Sequence, residues 1–380
     1  MTTCDVIVVG GGPAGSTCAK RLVEAGANVV VTDRAVFPRD QVCAGWITPA
    51  VVDLLGLDLN DYGRGRTLQP FTGFDATLLQ GRRAAAETNP PISVDYGRVV
   101  SYGVRRVEFD HYLLLRSGAA LISGEPVKTL RHTRGRWIVN EHLEAPCLVG
   151  AGGHWCPVAR WLNAGPSAGR PIVAQEVELR LEQEATREVR VRAEAPALLF
   201  CPDLRGYGWC VRKGDYLNVG FGRLGGDGFQ AALQAFLADR AVRHVLGRFG
   251  VGPMKGHAYL VGALSPRRLA GSGVLLIGDA AGLALAPSGE GILAAVESGT
   301  IAGNSVARTG GVPDRAVEAY VEAIDERFGA RGEVDRVRGL PAALIVAGGR
   351  LILGSRWLTR RVVFDRAFLH TARPRLALTA

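Results

Sequence analysis

GGGPAG, at residues 10–15, is the stretch that decides the fold, because of what lies on either side of it. An apolar run, Asp5–Val9, precedes it, and a helical pattern, Ala14–Ala25, follows it. A second apolar run, Asn28–Thr32, comes next. This order of strand, glycine turn, helix and strand predicts an α/β fold with a parallel sheet of the Rossmann kind.

Three glycines in the turn match the GxGxxG pattern of dinucleotide-binding proteins. Gly10 permits the tight turn, Gly12 lets the backbone approach a pyrophosphate, and Gly15 lets helix and strand pack closely. The N-terminus of the helix attracts the negative charge. Asp33 ends the second strand, where a carboxylate can accept hydrogen bonds from ribose hydroxyls. The pattern predicts dinucleotide binding, with a plain structural loop as the alternative.

A second motif lies far downstream, where LLIGDAAGLALAPSGEG runs from Leu275 to Gly291. It predicts a buried strand that leads to Asp279, a turn of small residues and a helix. It is similar to the flavin-binding Gly-Asp motif of two-domain FAD enzymes, whose aspartate contacts the ribityl chain. An ordinary helix N-cap is the alternative. NAD as the tightly held cofactor would explain only the first motif.

Composition excludes several classes of protein. The chain has 380 residues, enough for two joined domains, and its 45 basic and 36 acidic residues give a net charge of +9, which suits an anionic cofactor or substrate. We expect no nucleic-acid partner, because the sequence has no basic run of five or more residues. The seven cysteines form no CxxC pair, so we predict no metal site.

The two ends of the chain bear on its location. Met1–Cys4 leads into an apolar strand without a charged segment or cleavage pattern, so we expect no secretion signal and a cytoplasmic protein. The apolar stretch Leu340–Gly354 is interrupted by Gly348, Gly349 and Arg350 and is too short to span a bilayer. Peripheral membrane contact through the arginine-rich C-terminal helices stays open.

Four further segments complete the pattern: QVCAGWITPAV at 41–51, RRVEFD at 105–110, GAGGHWCPVAR at 150–160 and GYGWCVRKGDYLNVGFG at 206–222. With the two motifs above, they resemble the geranylgeranyl-reductase branch of FAD-dependent oxidoreductases, which shares its architecture with aromatic hydroxylases and flavin halogenases. The resemblance covers most of the first 310 residues. The Trp-x-Trp-x-Ile-Pro run of the halogenases is absent.

The resemblance implies FAD as the cofactor and a set of positions that bind it. The glycine turn and Asp33 correspond to the ADP-binding turn of the family, and Arg106 corresponds to its arginine before Phe-Asp. Gly152 stands where relatives have aspartate, and Cys156 where they have serine. The implied cofactor-binding residues are Gly10, Gly12, Pro13, Ala14, Gly15, Asp33, Arg34, Cys43, Ala44, Arg106, Ala151, Gly152, Gly278, Asp279, Gly289, Gly291 and Ile292.

The resemblance also implies three catalytic candidates, Cys43, Tyr207 and Trp209. Cys43 matches a cysteine that faces the flavin in the reductase branch, and a buried packing cysteine is the alternative. Tyr207 and Trp209 share one face of a strand and would form an aromatic wall, with a core pair as the alternative. Val211 and Arg212 replace the Phe and Pro of the family motif.

Four polar side chains have less specific signals. His154 is a further candidate proton donor, although packing is the commoner role. Arg212 and Lys213 follow the aromatic pair, and we expect them to be solvated, with an anionic substrate head as the alternative ligand. Glu290 either tunes the flavin or caps the next helix.

The pattern of elements predicts two domains and a tail. We expect a discontinuous FAD-binding domain at 1–65, 96–165 and 265–310, and an antiparallel-sheet substrate domain at 66–95 and 166–264. Residues 311–380 would form a C-terminal helical region. The two domains together would have an aromatic-hydroxylase-like architecture.

These observations together predict an FAD-dependent oxidoreductase that reduces a double bond of a small apolar, isoprenoid-like or natural-product substrate by hydride transfer. One alternative is an FAD-dependent monooxygenase that uses a flavin hydroperoxide. Another is a non-catalytic electron-relay flavoprotein. No second GxGxxG stands out as a nucleotide-binding motif, so NAD(P)H or another electron donor would bind transiently. The substrate and the oligomeric state stay open.

Overall fold

The computed structural model describes residues 1–80, 90–162, 171–182, 187–247, 249–261, 267–285, 288–329 and 341–377. Its strands, in chain order, are β1 (Thr2–Thr3), β2 (Val6–Val9), β3 (Val29–Asp33), β4 (Trp46–Ile47), β5 (Leu68–Phe71), β6 (Gly73–Leu78), β7 (Ile92–Asp95), β8 (Ser101–Val104), β9 (Ala120–Ser123), β10 (Leu130–Thr133), β11 (Arg136–Val139), β12 (Leu143–Ala145), β13 (Cys147–Gly150), β14 (Ile172–Arg180), β15 (Ala197–Phe200), β16 (Gly206–Lys213), β17 (Tyr216–Leu224), β18 (Lys255–Tyr259), β19 (Ala270–Gly271) and β20 (Val274–Leu276).

The described helices are, in the same order, α1 (Pro13–Glu24), α2 (Pro49–Leu55), α3 (Leu59–Gly63), α4 (Arg106–Arg116), α5 (Pro157–Trp161), α6 (Phe229–Ala238), α7 (Arg240–Leu246), α8 (Ile292–Arg308), α9 (Pro313–Phe328), α10 (Ala342–Leu353) and α11 (Arg356–Leu358). A 3₁₀ turn covers Gly278–Ala280, and a π-helix covers Thr359–Phe368. In the part of the chain that is described, no helix is both long and apolar enough to cross a membrane.

A parallel sheet forms the core of the nucleotide-binding half. Its strand order is β19-β20-β13-β2-β3-β9, and every pair is parallel except β19 with β20. The strands β2, β3 and β13 are fully buried, which is why they read as continuous apolar runs instead of alternating patterns. The predicted parallel sheet is confirmed.

A second, larger sheet has the order β18-β14-β17-β16-β15-β6-β7. Its neighbours are antiparallel except for β15 with β6. Helix α6, through Phe229, Leu233 and Phe236, and helix α7, through Val242 and Leu246, belong to a separate apolar cluster that covers one face. The opposite face carries Trp209 and turns toward the nucleotide-binding half. The predicted α/β architecture with a second, mainly antiparallel sheet and C-terminal helices is confirmed.

Helices α1 and α8 pack with almost no space between their backbones. A Cβ placed on Gly299 of α8 would collide with the carbonyl oxygen of Ala14, and one on Gly303 would lie 2.6 Å from Cβ of Arg21. The small residues therefore set the helix spacing, and the N-terminus of α1 is held against the start of the nucleotide site.

We expect Gly299→Ala to lower the free energy of unfolding by about 1–3 kcal/mol, because the added methyl group pushes α1 and α8 apart. Urea unfolding measures the change. Gly348→Ala is the matched control, since Gly348 also lies inside a helix but has open space around it. The control should be neutral or gain up to about 1 kcal/mol. Equal stabilities for the two variants would contradict this packing argument.

Candidate active site

The carboxyl ends of neighbouring parallel strands bring distant segments to one edge. Gly10 follows β2, Ala151 follows β13, and Gly278 follows β20, while Asp33 ends β3. These strands lie side by side in register, so the four segments meet although they are far apart in sequence. Ligands of such sheets bind at this edge.

Backbone crowding explains the glycines at this edge. Gly10 has a φ of +113°, and a Cβ there would collide with the carbonyl oxygen of Ala151. A Cβ on Gly15 would collide with the carbonyl oxygen of Gly10, and one on Gly278 would lie 3.1 Å from Cβ of Ala14. The glycine turn and the downstream Gly-Asp segment therefore touch each other and form one cradle.

Asp33 is held at the cradle by main-chain donors. The N–H of Gly11 donates to Oδ2 at 2.7 Å, and the N–H of Ala35 donates to Oδ1 at 2.9 Å. Asp33 lines the cavity beside Arg34. Each carboxylate oxygen keeps a further lone pair, so Asp33 can still accept a hydrogen bond from a ribose hydroxyl.

Two arginines share one buried carboxylate above the glycine turn. Arg106 donates to Asp110 at 2.7 and 2.8 Å, and Arg39 approaches the same carboxylate at 3.2 Å. Both arginines line the cavity, and Arg39 reaches to 3.4 Å from the position of a Cβ on Gly12. Sequence reasoning missed Arg39, which lies in an irregular stretch outside the family motifs. The pair places positive charge where a pyrophosphate would approach the helix N-terminus.

Asp279 and His257 both line the cavity and lie next to each other. Nε2 of His257 is 3.5 Å from Oδ2 of Asp279. His257 lies on β18 of the other sheet, and no local motif marked it. His154 also lines the cavity and is buried, and burial together with the nearby Arg267 lowers the pKa of its imidazole. His154 is therefore neutral around pH 7, which makes it a poor source of a proton.

A tight turn places Cys43 at the boundary between the two sheets. Gly45 has a φ of +65°, and a Cβ there would collide with the carbonyl oxygen of Val104. The N–H of Gly45 lies 3.4 Å from Sγ of Cys43. Arg106 also interacts with the Cys43 thiol, so this thiol lies next to a permanent positive charge.

Lys213 anchors the turn that contains Cys43. The prediction that its side chain is solvated is wrong. The side chain is fully buried, it pairs with Glu178, and it donates to the carbonyl oxygens of Ala44 and Val104 at 3.1 and 3.2 Å. The strand end on which Lys213 lies packs under the turn instead of facing solvent. Because its donors are occupied, Lys213 is not available for an anionic substrate head.

A buried hydrogen-bonded cluster connects the turn to the aromatic wall. The indole N–H of Trp209 donates to Oδ1 of Asn218 at 2.7 Å. The amide group of Asn218 donates to Glu176 and, at 3.3 Å, to the carbonyl oxygen of Cys43. Glu176 also accepts a hydrogen bond from the backbone N–H of Cys43. The positions of Cys43 and Trp209 are therefore coupled through two side chains of the substrate sheet.

Tyr207 and Trp209 both line the cavity from the same strand face, with ring centroids 6.1 Å apart. The Tyr207 hydroxyl donates to the carbonyl oxygen of Ser288 at 2.5 Å, and burial raises the pKa of its phenol. Trp46 and Phe368 stack at 5.4 Å and extend the aromatic wall.

The loop before α8 carries Gly289, Gly291 and Ile292, all of which line the cavity. Glu290, between them, lies 2.8 Å from Nε2 of His370, a residue of the C-terminal tail. Burial raises the pKa of Glu290. The structure thus pairs Glu290 with the tail, a role that neither interpretation of this residue included.

Gly152 and Cys156, two positions at which this chain departs from the family motif, lie in different surroundings. Gly152 lines the cavity, and Cys156 packs behind it, with Sγ 3.2 Å from where a Cβ of Gly152 would lie. Cys156 is buried, and burial raises the pKa of its thiol. Cys156 therefore fills space behind the cavity, and of these two residues only Gly152 lines it.

The cavity has a volume of about 590 Å³, in the size range typical of cofactor and substrate sites. It brings together every residue of the sequence-derived set except Gly15, whose place is behind the turn. Trp46 Nε1 and Thr48 Oγ1 are buried beside it without a partner among the described residues. Charged groups at the glycine end, a backbone cradle without side chains and an aromatic far end together fit FAD.

Comparisons with known proteins agree with this geometry. A family model described as "FAD binding domain" matches residues 3–58. Menaquinone reductase of Mycobacterium tuberculosis is 31% identical over 335 residues, covering 79% of this chain and 76% of the relative. Digeranylgeranylglycerophospholipid reductase of Methanothrix thermoacetophila is 29% identical, covering 86% and 83%.

Solved structures show the same fold. A geranylgeranyl bacteriochlorophyll reductase-like protein from Thermoplasma acidophilum has a TM-score of 0.76 at 21% identity, covering 93% of this chain and 92% of that chain. The flavin-dependent halogenase CmlS has a TM-score of 0.63 at 21% identity, covering 86% and 63%.

Fold and site therefore define an FAD-dependent oxidoreductase. The chain belongs to the family that contains menaquinone reductase and the geranylgeranyl reductases, as the resemblance of its motifs implied.

We expect Asp279→Ala to weaken FAD binding by about five- to hundredfold, the equivalent of about 1–3 kcal/mol, because a hydrogen-bond acceptor is lost from the cradle. Titration of the apoprotein with FAD, followed by flavin fluorescence, gives the dissociation constant. Asp53→Ala is the control, since Asp53 pairs with Arg375 at the surface. An unchanged dissociation constant for the Asp279 variant would place the ribityl contact elsewhere.

Burial raises the pKa of Glu176 from 4.5 to about 7. Between these two values the folded protein binds a proton that the unfolded chain lacks, so the free energy of unfolding falls as the pH rises through this window. Relative to the Glu176→Gln variant, the free energy of unfolding of the wild type should fall by on the order of 3 kcal/mol as the pH rises across this window. Urea unfolding of the FAD-saturated proteins at several pH values measures the difference.

The control for this experiment is Glu318→Gln, which changes an exposed carboxylate. The difference in free energy of unfolding between Glu318→Gln and the wild type should stay constant across this pH window. If the Glu176→Gln difference is also constant across the window, Glu176 has an ordinary pKa and the argument from burial fails.

Proposed function

We propose that this protein reduces a carbon–carbon double bond of an apolar, isoprenoid-like substrate. The observation that carries the proposal is the far end of the cavity, where Trp46, Trp209 and Phe368 surround the space next to Cys43. Aromatic and aliphatic walls suit a hydrocarbon chain and exclude water. The names of the relatives, which include reductases of geranylgeranyl lipids, support this substrate class.

When bound in its reduced form, FAD supplies the hydride for the reaction. The protein holds the double bond against the flavin, with Trp209 and Phe368 as the apolar wall, and keeps the donor and acceptor atoms close. One carbon of the double bond receives the hydride, and the other must receive a proton.

Cys43 is the best-placed source of that proton. The hydroxyl of Tyr207 already donates to Ser288, and His154 is neutral, so neither competes well. The guanidinium of Arg106 interacts with the Cys43 thiol and would stabilise the thiolate that remains after proton transfer. Solvent reprotonates the thiolate before the next turnover.

Two further parts of the proposal follow from the arrangement. We assign FAD binding to 1–65, 96–165 and 265–310, and substrate binding to 66–95 and 166–264, because the cavity lies between the two sheets. Electrons reach the flavin from NAD(P)H or another donor that binds transiently. The glycine turn at 10–15 is already part of the cradle.

The proposal predicts anaerobic turnover. Photoreduced holoprotein, incubated without oxygen with a panel of polyprenyl compounds, should give products that are heavier by two hydrogens, as mass spectrometry detects. Cys43→Ser should keep its FAD but lose about tenfold or more in rate, because its hydroxyl is a weaker acid than the thiol. Trp161→Phe is the control, since Trp161 packs on Trp137 away from the cavity.

Three outcomes would overturn the proposal. Oxygen incorporation coupled to oxygen consumption would identify a monooxygenase. Flavin that is reduced only by a protein donor, without turnover of any compound, would identify an electron relay. Full activity of Cys43→Ser would return Cys43 to a packing role.

A further inference from the structure

Helix α10 (Ala342–Leu353) is apolar on both its inner and its outer face. Leu344 and Leu351 point outward with 59% and 69% of their surface exposed, and Ala347 lies between them on the same face. The spacing of three and four residues places the three side chains on one helical stripe. Helices at the surface of globular proteins normally carry polar residues on that side.

The inner face of the same helix is packed, so its orientation is determined. Gly349 lies directly against the side chain of Leu204, and Ile345, Ile352 and Leu353 are partly buried. Helix α10 packs against β6 of the substrate sheet. The outer stripe is therefore a fixed surface feature of the folded protein.

Trp357, which follows shortly after the end of α10, is a further exposed apolar side chain, with 67% of its surface exposed. We call Leu344, Ala347, Leu351 and Trp357 the outer leucine face. Exposed tryptophan is unusual in water but favourable at the boundary between lipid and water, where the ring is half solvated.

The charge around the outer leucine face is predominantly positive. The segment 341–369 contains five arginines and one aspartate. All five arginines are exposed, and the aspartate, Asp365, accepts a hydrogen bond from Tyr96 at 2.7 Å. The five are Arg350, Arg356, Arg360, Arg361 and Arg366. This combination of apolar stripe and arginines is complementary to anionic lipid head groups.

The chain that carries the outer leucine face runs on to the wall of the cavity. Trp357 is followed by the π-helix Thr359–Phe368, in which Phe364 stacks on Phe74 at 4.7 Å. Phe368, at the end of this helix, lines the cavity. One short stretch of chain thus joins the exposed face to the wall of the site.

We propose that the outer leucine face docks the protein on the surface of an anionic lipid bilayer. The leucines and Trp357 insert at the level of the head groups, and the arginines contact lipid phosphates. The inference goes beyond the proposed function, and vesicle binding can be measured without turnover. A second copy of this chain is the competing occupant, but five arginines on each copy would repel each other across a symmetric contact.

The test is sedimentation of the FAD-loaded full-length protein with vesicles. It should bind vesicles of equal parts phosphatidylcholine and phosphatidylglycerol, and bind less to phosphatidylcholine alone or at high salt. The variant L344E/L351E should lose about tenfold or more in binding to the anionic vesicles. A second variant, R350Q/R356Q, should weaken anionic binding without touching the leucines.

The matched control is L115E/L121E, which adds the same charge at two other exposed leucines, 63% and 40% exposed, on α4 and β9. It should bind vesicles like the wild type at the same FAD content. The proposal is overturned if the wild type does not bind anionic vesicles, or if L344E/L351E binds as the control does. It is also overturned if the wild type is dimeric without lipid and L344E/L351E is monomeric.

Discussion

The structure depends on one constraint, the close approach of backbone segments at the carboxyl edge of the parallel sheet. Gly10 lies so near the backbone of Ala151 that a side chain there would collide with it, and Gly278 packs closely against Ala14. The glycines thus leave main-chain atoms exposed to a ligand and allow α1 to point its N-terminus at the same place. The spacing of α1 and α8, set by Gly299, keeps this arrangement rigid.

The second, mainly antiparallel sheet helps to shape the site, because its buried polar side chains contact the turn around Cys43. Lys213 holds the carbonyl of Ala44, and Asn218 joins the carbonyl of Cys43 to the indole of Trp209. A buried charge such as Lys213 is tolerated because Glu178 pairs with it, and removal of either partner would leave the other uncompensated. The geometry of the turn around Cys43 is therefore set by the sheet that carries Lys213, Asn218 and Trp209.

The C-terminal elements complete the site. Phe368 closes the aromatic wall, and His370 pairs with Glu290 in the loop before α8, which lines the cavity. Family motifs in the first 310 residues give no sign of these contacts. The proposed lipid-docking surface would suit the proposed substrate class, since apolar compounds dissolve poorly in water and partition into bilayers.

The sequence by itself determined the cofactor class and the cradle, because glycine spacing, a strand-ending Asp33 and the Gly-Asp motif are local signals with a direct backbone cause. The parallel and antiparallel sheets followed from hydrophobic periodicity for the same reason. Only the tertiary structure decided that Arg39 and His257 line the cavity, that Lys213 is buried, and that the tail forms a wall. These features depend on contacts between residues that are far apart in the chain, and a local sequence pattern does not indicate such contacts.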